Sequence, residues 1–419
     1  MSPDDNRERA VLVWAGRRRH EASRHLDELE SLAVSAELDV TGRLIQELRR
    51  TSPATFIGSG KVDELTALAT EVSANVVVFD EPLSPAQRRN IERRVDIKVI
   101  DRSQLILDIF ARRAWTRAGK IQVELAQLEY LLPRLTRHWT HLSRIQGGIG
   151  TKGPGETQLE VDRRQVRNKI ATLRRRLQRL DRTRRLNRQE RESIPYPTVA
   201  LVGYTNVGKS SLLNRLTGSD ALVADKLFAT LDSTVRRLEL PSGDPVMLID
   251  TVGFIAKLPH ELIEAFKGTL EQVKTADLLL HVIDGSNDQM EERASTVESI
   301  LDEIGASSIP RLDVYNKSDL VAATNRPSGA IAVSALEGGG QGELVEAIEQ
   351  QLAISQERVI LRLGSADGRT RAWLYQHARV VSESETEDGY RIEAWLTGRN
   401  IGRLRTLMGT AHIEQFRDD

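Results

Sequence analysis

The sequence predicts an α/β protein in four parts: an N-terminal parallel α/β subdomain, a long helical hairpin, a P-loop domain and a small α+β domain. Three observations carry this expectation. Apolar strand-like runs alternate with helical patterns between residues 10 and 101. Two leucine-rich stripes at helical spacing flank a loop dense in glycine. A G-x-x-x-x-G-K-S stretch stands between a buried-strand pattern and a helix start, the context a phosphate loop requires. The corresponding boundaries are 1–101, 102–194, 195–355 and 356–419.

In the first part, Val11 to Trp14 reads as a strand and His20 to Ala36 as a helix with leucines on one face. Leu38 to Leu44 is a second strand weakened by Gly42. Lys61 to Val72 is helical, and Asn75 to Asp80 is a continuous apolar strand. Ser84 caps a helix that has Pro85 in its first turn and runs to Val95. Ile97 to Asp101 closes the set. Strands separated by helices imply a parallel sheet. Gly58-Ser59-Gly60-Lys61 imitates a phosphate loop, but it lacks the earlier glycine and has Val62 where Ser or Thr belongs. A turn opening a helix is the better reading.

In the second part, Ile121, Leu125, Leu128, Leu132, Leu135, Trp139 and Leu142 alternate steps of four and three. Leu159, Val166, Ile170, Leu173, Leu177 and Leu180 do nearly the same. Two such stripes predict an antiparallel hairpin in which each buries the other. Pro133 should kink the first arm, and the second should run from Thr157 to about Glu190. The loop between them, Gly147 to Glu156, holds five glycines up to Gly155, more than a turn needs. A flexible linker would explain it; a backbone-rich finger fitted against RNA would also do so. Residues 163–191 carry 13 Lys+Arg against Asp181 and Glu190. A charge run of one sign continuing around a helix points to phosphate binding rather than to a merely solvated face. The near-zero net charge hides this asymmetry. Residues 1–195 hold 37 Lys+Arg and 27 Asp+Glu, a balance of +10, and the remaining 22 and 33 leave −11. The first half is the candidate for a polyanion.

The third part carries the chemistry. Thr198 to Val202 is the strand before Gly203-Tyr204-Thr205-Asn206-Val207-Gly208-Lys209-Ser210, and Ser211 continues into a helix. Backbone N–H groups of such a loop wrap phosphates, and the helix dipole assists. Lys209 would reach the β- and γ-phosphates, and Ser210 would ligate Mg²⁺. Val246 to Ile249 leads to Asp250-Thr251-Val252-Gly253, where Asp250 suits the Mg²⁺ shell and the Gly253 N–H suits the γ-phosphate. Asn316-Lys317-Ser318-Asp319 fits a guanine signature, because the Asp319 carboxylate can accept from N1–H and N2–H₂ of guanine, which adenine lacks. Ser334-Ala335-Leu336 matches the loop that backs the base. Between Gly208 and Asp250, Thr230 is the favoured hydroxyl to close on Mg²⁺, with Thr234 as second choice. Either could instead be an ordinary strand residue. The ordered set specifies GTP as substrate.

In the last part, Val359 to Leu363 and Tyr390 to Leu396 alternate as strands around a helix containing Trp373 and Leu374, with no chemistry evident. The chain has no cysteine, which excludes disulfides, thiol nucleophiles and cysteine metal sites. It has no apolar stretch of the ~20 residues that span a bilayer. A cytoplasmic monomer is the expectation.

With these residues placed, the chain resembles HflX-type GTPases. The resemblance rests on GSGKVDEL at 58–65, GPGETQLE at 153–160, GYTNVGKSSL at 203–212, FATLDST at 228–234, DTVGF at 250–254 and LPHELIEAF at 258–266. It implies a ribosome-associated GTPase that binds the large subunit and promotes separation of stalled or idle ribosomes. Ser233 stands where the family commonly has proline, and Asp313 polarises a strand that is otherwise apolar. After Gly253, the position that often carries a water-orienting glutamine is Phe254, so intrinsic hydrolysis should be slow and the ribosome would complete the site. In related GTPases lacking that glutamine, an asparagine at the position of Asn206 helps bind K⁺. The bland reading of Asn206 is that asparagine tolerates a tight loop. Two classes of function follow: a ribosome-activated switch enzyme, or a GTP-controlled module for RNA remodelling or ribosome assembly.

Overall fold

The computed structural model describes residues 7–135, 158–191, 196–218, 227–228, 234–257, 267–322, 330–354, 356–386, 388–397, 400–401, 404–405 and 413–416. The chain divides into two compact units. Among the described residues, the first comprises those up to Gln178 and takes in Leu227, Phe228, Lys257 and Lys267; the second holds the rest.

In the first unit a parallel sheet is built from β1 (Arg9–Gly16), β2 (Asp39–Glu47), β3 (Val76–Phe79) and β4 (Lys98–Asp101), in the order β2-β1-β3-β4. The helices between them are α1 (Ala22–Ser35), α2 (Ser59–Glu71) and α3 (Pro85–Val95). β3 is buried along its whole length, as strands covered on both faces are. Gly42 is accommodated by a register shift opposite Val11, so the second strand runs three residues beyond the expected Leu44. Ser84 and Gln87 form a reciprocal capping box at the start of α3. The expected turn at Gly58 to Lys61 is the N-terminus of α2 itself. The Gly58 N–H is spent on Gln46, and Lys61 pairs with Glu64 at 2.7 Å.

A charged cluster lies at the end of β3. Asp80 is fully buried and accepts from Arg102 and Lys257, both at 2.8 Å, and His25 Nδ1 stands 3.4 Å away. Arg102 also binds Glu28. Burial would raise the Asp80 pKa, but Arg102 and Lys257 more than reverse this and hold it below its ordinary value.

After β4 come α4 (Arg102–Arg113), α5 (Arg117–Leu131) and α6 (Gln158–Arg191). Pro133 does not kink a continuing α-helix; α5 ends at Leu131 and a 3₁₀ turn, Leu132–Arg134, follows, because proline cannot supply the next N–H. Residues 136–157, with the glycine loop, lie outside the described residues. The second arm matches its expected span, and its 34 residues are roughly 50 Å long. Val166, Ile170 and Leu173 are buried, while Lys169 pairs with Glu124 and Arg174 with Glu129 on α5. Arg174 is therefore committed within the protein; Arg175 and Arg176 are exposed and unpaired among the described residues.

The second unit has a six-stranded sheet from β5 (Thr198–Val202), β6 (Thr234–Glu239), β7 (Pro245–Asp250), β8 (Leu278–Asp284), β9 (Arg311–Asn316) and β10 (Ile331–Ala332). Its order is β10-β9-β8-β5-β7-β6, parallel except for β6. The polar Asp313 in β9 is explained by its neighbours. It binds His281 Nδ1 of β8 at 3.2 Å and Arg311 at 3.0 Å, and the His281 contact first, then Arg311, holds its pKa low. The final sheet is antiparallel and has four strands where sequence indicated two: β11 (Gln356–Gly364), β12 (Arg379–Thr386), β13 (Gly389–Thr397) and β14 (Ile413–Phe416), in the order β12-β13-β11-β14. No helix among the described residues is long and apolar enough to cross a membrane.

Candidate nucleotide site

The phosphate loop leaves β5 at Gly203, at the carboxyl end of a strand flanked by β7 and β8, where open α/β sheets take their ligands. Its glycines are dictated by backbone and space together. Gly203 has φ +154°, and a Cβ there would lie 2.3 Å from the Val282 carbonyl oxygen. Gly208 has φ +91°, and a Cβ would meet Asn316 Nδ2 at 2.3 Å. Asn206 adopts φ +62° with its side chain exposed, a conformation that asparagine tolerates.

The helix α7 (Lys209–Thr217) starts directly after Gly208, and its first backbone bond runs from Leu212 N–H to the Gly208 carbonyl. The N–H groups of the first turn, from Lys209 to Ser211, precede that bond and sit at the positive end of the dipole. Lys209 is buried and donates to the Gly203 and Tyr204 carbonyls at 3.0 and 2.8 Å. Burial pushes its pKa down to about 8, and Asp250 pulls it upward. The Ser210 hydroxyl donates to the buried Asp250 carboxylate at 2.6 Å. A hydroxyl and a carboxylate side by side are hard oxygen donors, the set that Mg²⁺ accepts while retaining water and phosphate ligands. Ser210 and Asp250 therefore fit the ion.

Gly253 lies against this lysine; a Cβ on it would be 3.1 Å from Lys209 Nζ. The next residue, Phe254, is zipped to the phosphate loop. Its N–H donates to the Gly203 carbonyl at 3.1 Å, and its carbonyl accepts from Thr205 N–H at 2.7 Å. Its ring is 2 % exposed. Tyr204 helps hold the segment: its hydroxyl accepts from Ala256 N–H at 2.8 Å, and Arg293 lies over its ring.

On the base side, Asn316 is a brace. Its amide donates to the Val207 carbonyl at 2.7 Å and accepts from Ala335 N–H at 3.0 Å. One side chain thus ties the phosphate loop, the end of β9 and the Ser334 loop together. Lys317 has φ +62° and pairs with Asp284 at 2.7 Å. Asp319 is exposed in a 3₁₀ turn with no partner among the described residues. Ser334 is buried and its hydroxyl accepts from Glu337 N–H, whereas Leu336 is largely exposed.

The structure brings Gly203 to Ser211, Asp250, Gly253, Asn316, Lys317, Asp319 and Ser334 to Leu336 into one linked set of loops. Thr230 lies outside the described residues. The alternative, Thr234, begins β6 opposite Asp250. Leu227 and Phe228, just before Thr230, belong to the first unit: Leu227 N–H donates to Ser35 Oγ at 3.1 Å, and the Phe228 ring lies 4.5 Å from that of Phe110. Sequence reasoning missed Asp284, which holds Lys317. The Asp-Gly after the run at 278–283, apolar but for His281, was the available signal.

Comparison with known proteins gives the family. Three families match in succession: GTP-binding GTPase N-terminal over 23–111, GTP-binding GTPase Middle Region over 113–191, and 50S ribosome-binding GTPase over 198–317. GTPase HflX of Caldanaerobacter subterraneus is 47 % identical over 96 % of this chain and 94 % of its own. GTPase HflX of Escherichia coli is 44 % identical over 92 % of each. Among solved structures, a GTP-binding protein from Sulfolobus solfataricus in complex with GDP is 24 % identical, covering 82 % of this chain and 98 % of its own, with a TM-score of 0.44. On the residue pattern and this whole-length similarity, the chain is a GTP hydrolase that belongs to the HflX family of GTPases.

Proposed function

We propose that this protein hydrolyses GTP slowly on its own, that the large ribosomal subunit completes its catalytic site, and that the activated enzyme promotes separation of stalled or idle ribosomes in the cytoplasm. The observation that carries the reading is Phe254. The side chain after Gly253 is a buried ring held by two backbone bonds to the phosphate loop. It can neither accept from nor orient a water, and positioning is most of what a GTPase supplies. An outside group must do so.

The remaining roles follow from chemistry. Lys209 exchanges its two carbonyl partners for the β- and γ-phosphates, and the N–H groups from Gly208 to Ser211 hold the phosphate oxygens. Ser210, Asp250 and Thr230 hold Mg²⁺, which supplies charge neutralisation at the transferring phosphate. The Gly253 N–H faces the γ-phosphate, and Asp319 reads guanine. The four-part division at 101, 194 and 355 assigns the subunit contact to the first two parts, with the loop at 147–155 as fingertip. The name of the family matching 198–317 supports the large subunit as partner.

The deciding experiment is GTP turnover with and without purified large subunits, in K⁺ and in Na⁺ at equal ionic strength. Strong stimulation by subunits is expected, and its absence removes the switch reading. Equal rates in both salts under both conditions remove K⁺ and leave Asn206 with its backbone role alone. Shortening the loop at 147–155 should spare GTP binding and abolish splitting followed by light scattering. Normal splitting by the shortened protein would make the loop a linker.

A further inference from the structure

Tyr204 faces two ways. Its backbone lies in the phosphate loop, where its carbonyl accepts from Lys209 Nζ at 2.8 Å. Its side chain leaves the loop. The residue is 5 % exposed. With His281, Met290 and Val297 it lines a void of only about 10 Å³, and the Arg293 guanidinium stands 5.0 Å from the centre of its ring. A ring packed this closely keeps one orientation, which fixes where its hydroxyl points. The hydroxyl meets Ala256 and accepts from its N–H at 2.8 Å.

Three bonds therefore join the phosphate loop to the segment that follows Asp250. Two are main-chain bonds, both at Phe254, and the third is this phenol, two residues further on. The main-chain pair alone would pin the segment at one residue and leave it free to pivot there. The phenol supplies a second anchor and removes the pivot. At the next residue the backbone turns, with Lys257 at φ +57°, and the chain passes into the first unit. Packing alone does not account for a tyrosine here, since phenylalanine would fill the same space. A buried phenol oxygen costs free energy unless it has a partner, and Ala256 is that partner.

We propose that Tyr204 is a positioning residue for the γ-phosphate. Its hydroxyl fixes the segment from Gly253 to Ala256 so that the Gly253 N–H is presented to that phosphate, and this sharpens the discrimination of GTP from GDP. A donor held in place before the ligand arrives needs no reorganisation when it binds. GDP has no group for that N–H to meet, so the second anchor acts on the triphosphate. The role rests on the reading that the Gly253 N–H faces the γ-phosphate and is independent of the ribosome.

The test is equilibrium binding of GDP and of a non-hydrolysable GTP analogue to the full chain, with Mg²⁺ and without ribosomes. Tyr204→Phe removes the oxygen and keeps the ring beneath Arg293. The ratio of analogue affinity to GDP affinity should fall about 2- to 10-fold, the worth of one neutral hydrogen bond. Amide hydrogen exchange at Ala256 should quicken by a similar factor while that at Phe254 holds. Tyr204→Leu, which loses the ring as well, should repeat the loss in ratio and add a lower melting temperature. An unchanged ratio in Tyr204→Phe overturns the proposal, as does an equal loss for both nucleotides, which would make the residue a packing element. Exchange at Gly253 separates the two ideas. In the wild type it should be slower with the analogue than with GDP. If it is not, the γ-phosphate contact itself is wrong and the role of Tyr204 falls with it; if it is slower and the ratio in Tyr204→Phe is unchanged, Tyr204 alone is misassigned.

Discussion

Nucleotide binding should take up a proton near pH 8. Desolvation, opposed by Asp250, sets the Lys209 pKa in the free protein at about 8, against an ordinary 10.5. At pH 8 about half of the molecules then carry a neutral amine. A bound triphosphate sets negative charge against that amine and favours its charged form. GTP binding should draw in about half a proton per nucleotide at pH 8, about 0.1 at pH 7 and about 0.9 at pH 9. Calorimetry in buffers of different ionisation enthalpy measures this directly. The same residue affects stability with a definite sign. Its folded-state pKa lies below that of the unfolded chain, so the fold disfavours the ammonium. The penalty is fully present below about pH 8 and disappears as pH rises toward 10.5. A depression from 10.5 to about 8, at about 1.4 kcal/mol per pH unit, amounts to about 3 kcal/mol. The ligand-free wild type should gain up to that much between those pH values relative to Lys209→Met, which cannot titrate. Buffer-independent binding enthalpy at pH 8 together with parallel stability curves would refute the buried, charge-strained lysine.

Other consequences are open to direct measurement. Asp319→Asn should weaken GTP binding by at least about 100-fold and gain xanthosine triphosphate; unchanged GTP affinity would misplace the base pocket. Asn316→Ala leaves the Val207 carbonyl and the Ala335 N–H without their partner. It should cost about 2–4 kcal/mol in urea unfolding, and a loss under about 0.5 would show that water replaces the amide. Asp80→Asn removes the buried carboxylate that Arg102 and Lys257 share, leaving them only Glu28 and Glu81, and should cost about 3 kcal/mol. Because the Asp80 pKa is depressed, the stability it supplies is present above the unfolded-chain value of 3.8 and is lost as pH falls through the folded one. An acid unfolding profile identical in Asp80→Asn and wild type would contradict that. Reversing Arg175 and Arg176 should lower the salt slope of large-subunit binding by about 1.5–2, more than reversing Arg174, which Glu129 already holds. Equal slopes in wild type and variant would eliminate Arg175 and Arg176 as contacts.

The parts of this molecule that were legible in sequence are those where the backbone itself imposes a residue type. Gly203 and Gly208 fall where no Cβ fits, so their spacing announces the phosphate loop. β3 and β5 are covered on both faces, so they read as unbroken apolar runs. β12 was missed because it is an edge strand with mostly exposed, polar residues and no alternation to betray it. The end of α5 before Pro133 was misjudged as a bend, since sequence shows the missing N–H but not whether tertiary packing continues the helix. The bracing by Asn316, the hold of Asp284 on Lys317 and the Asp80 cluster join residues far apart in sequence, and no local pattern encodes such pairings.

The bonding of Phe254 to Gly203 and Thr205 bears on timing. The cradle that grips the nucleotide and the peptide that would carry a trigger are joined rung to rung, with the side chain at 254 turned into the interior. A glutamine placed there would inherit the buried direction, so restoring the missing group by substitution should not restore speed. On the proposed reading, a GTP-loaded copy would keep most of its charge until it met the surface that supplies the missing group, and the waiting time would be set by the concentration of that surface.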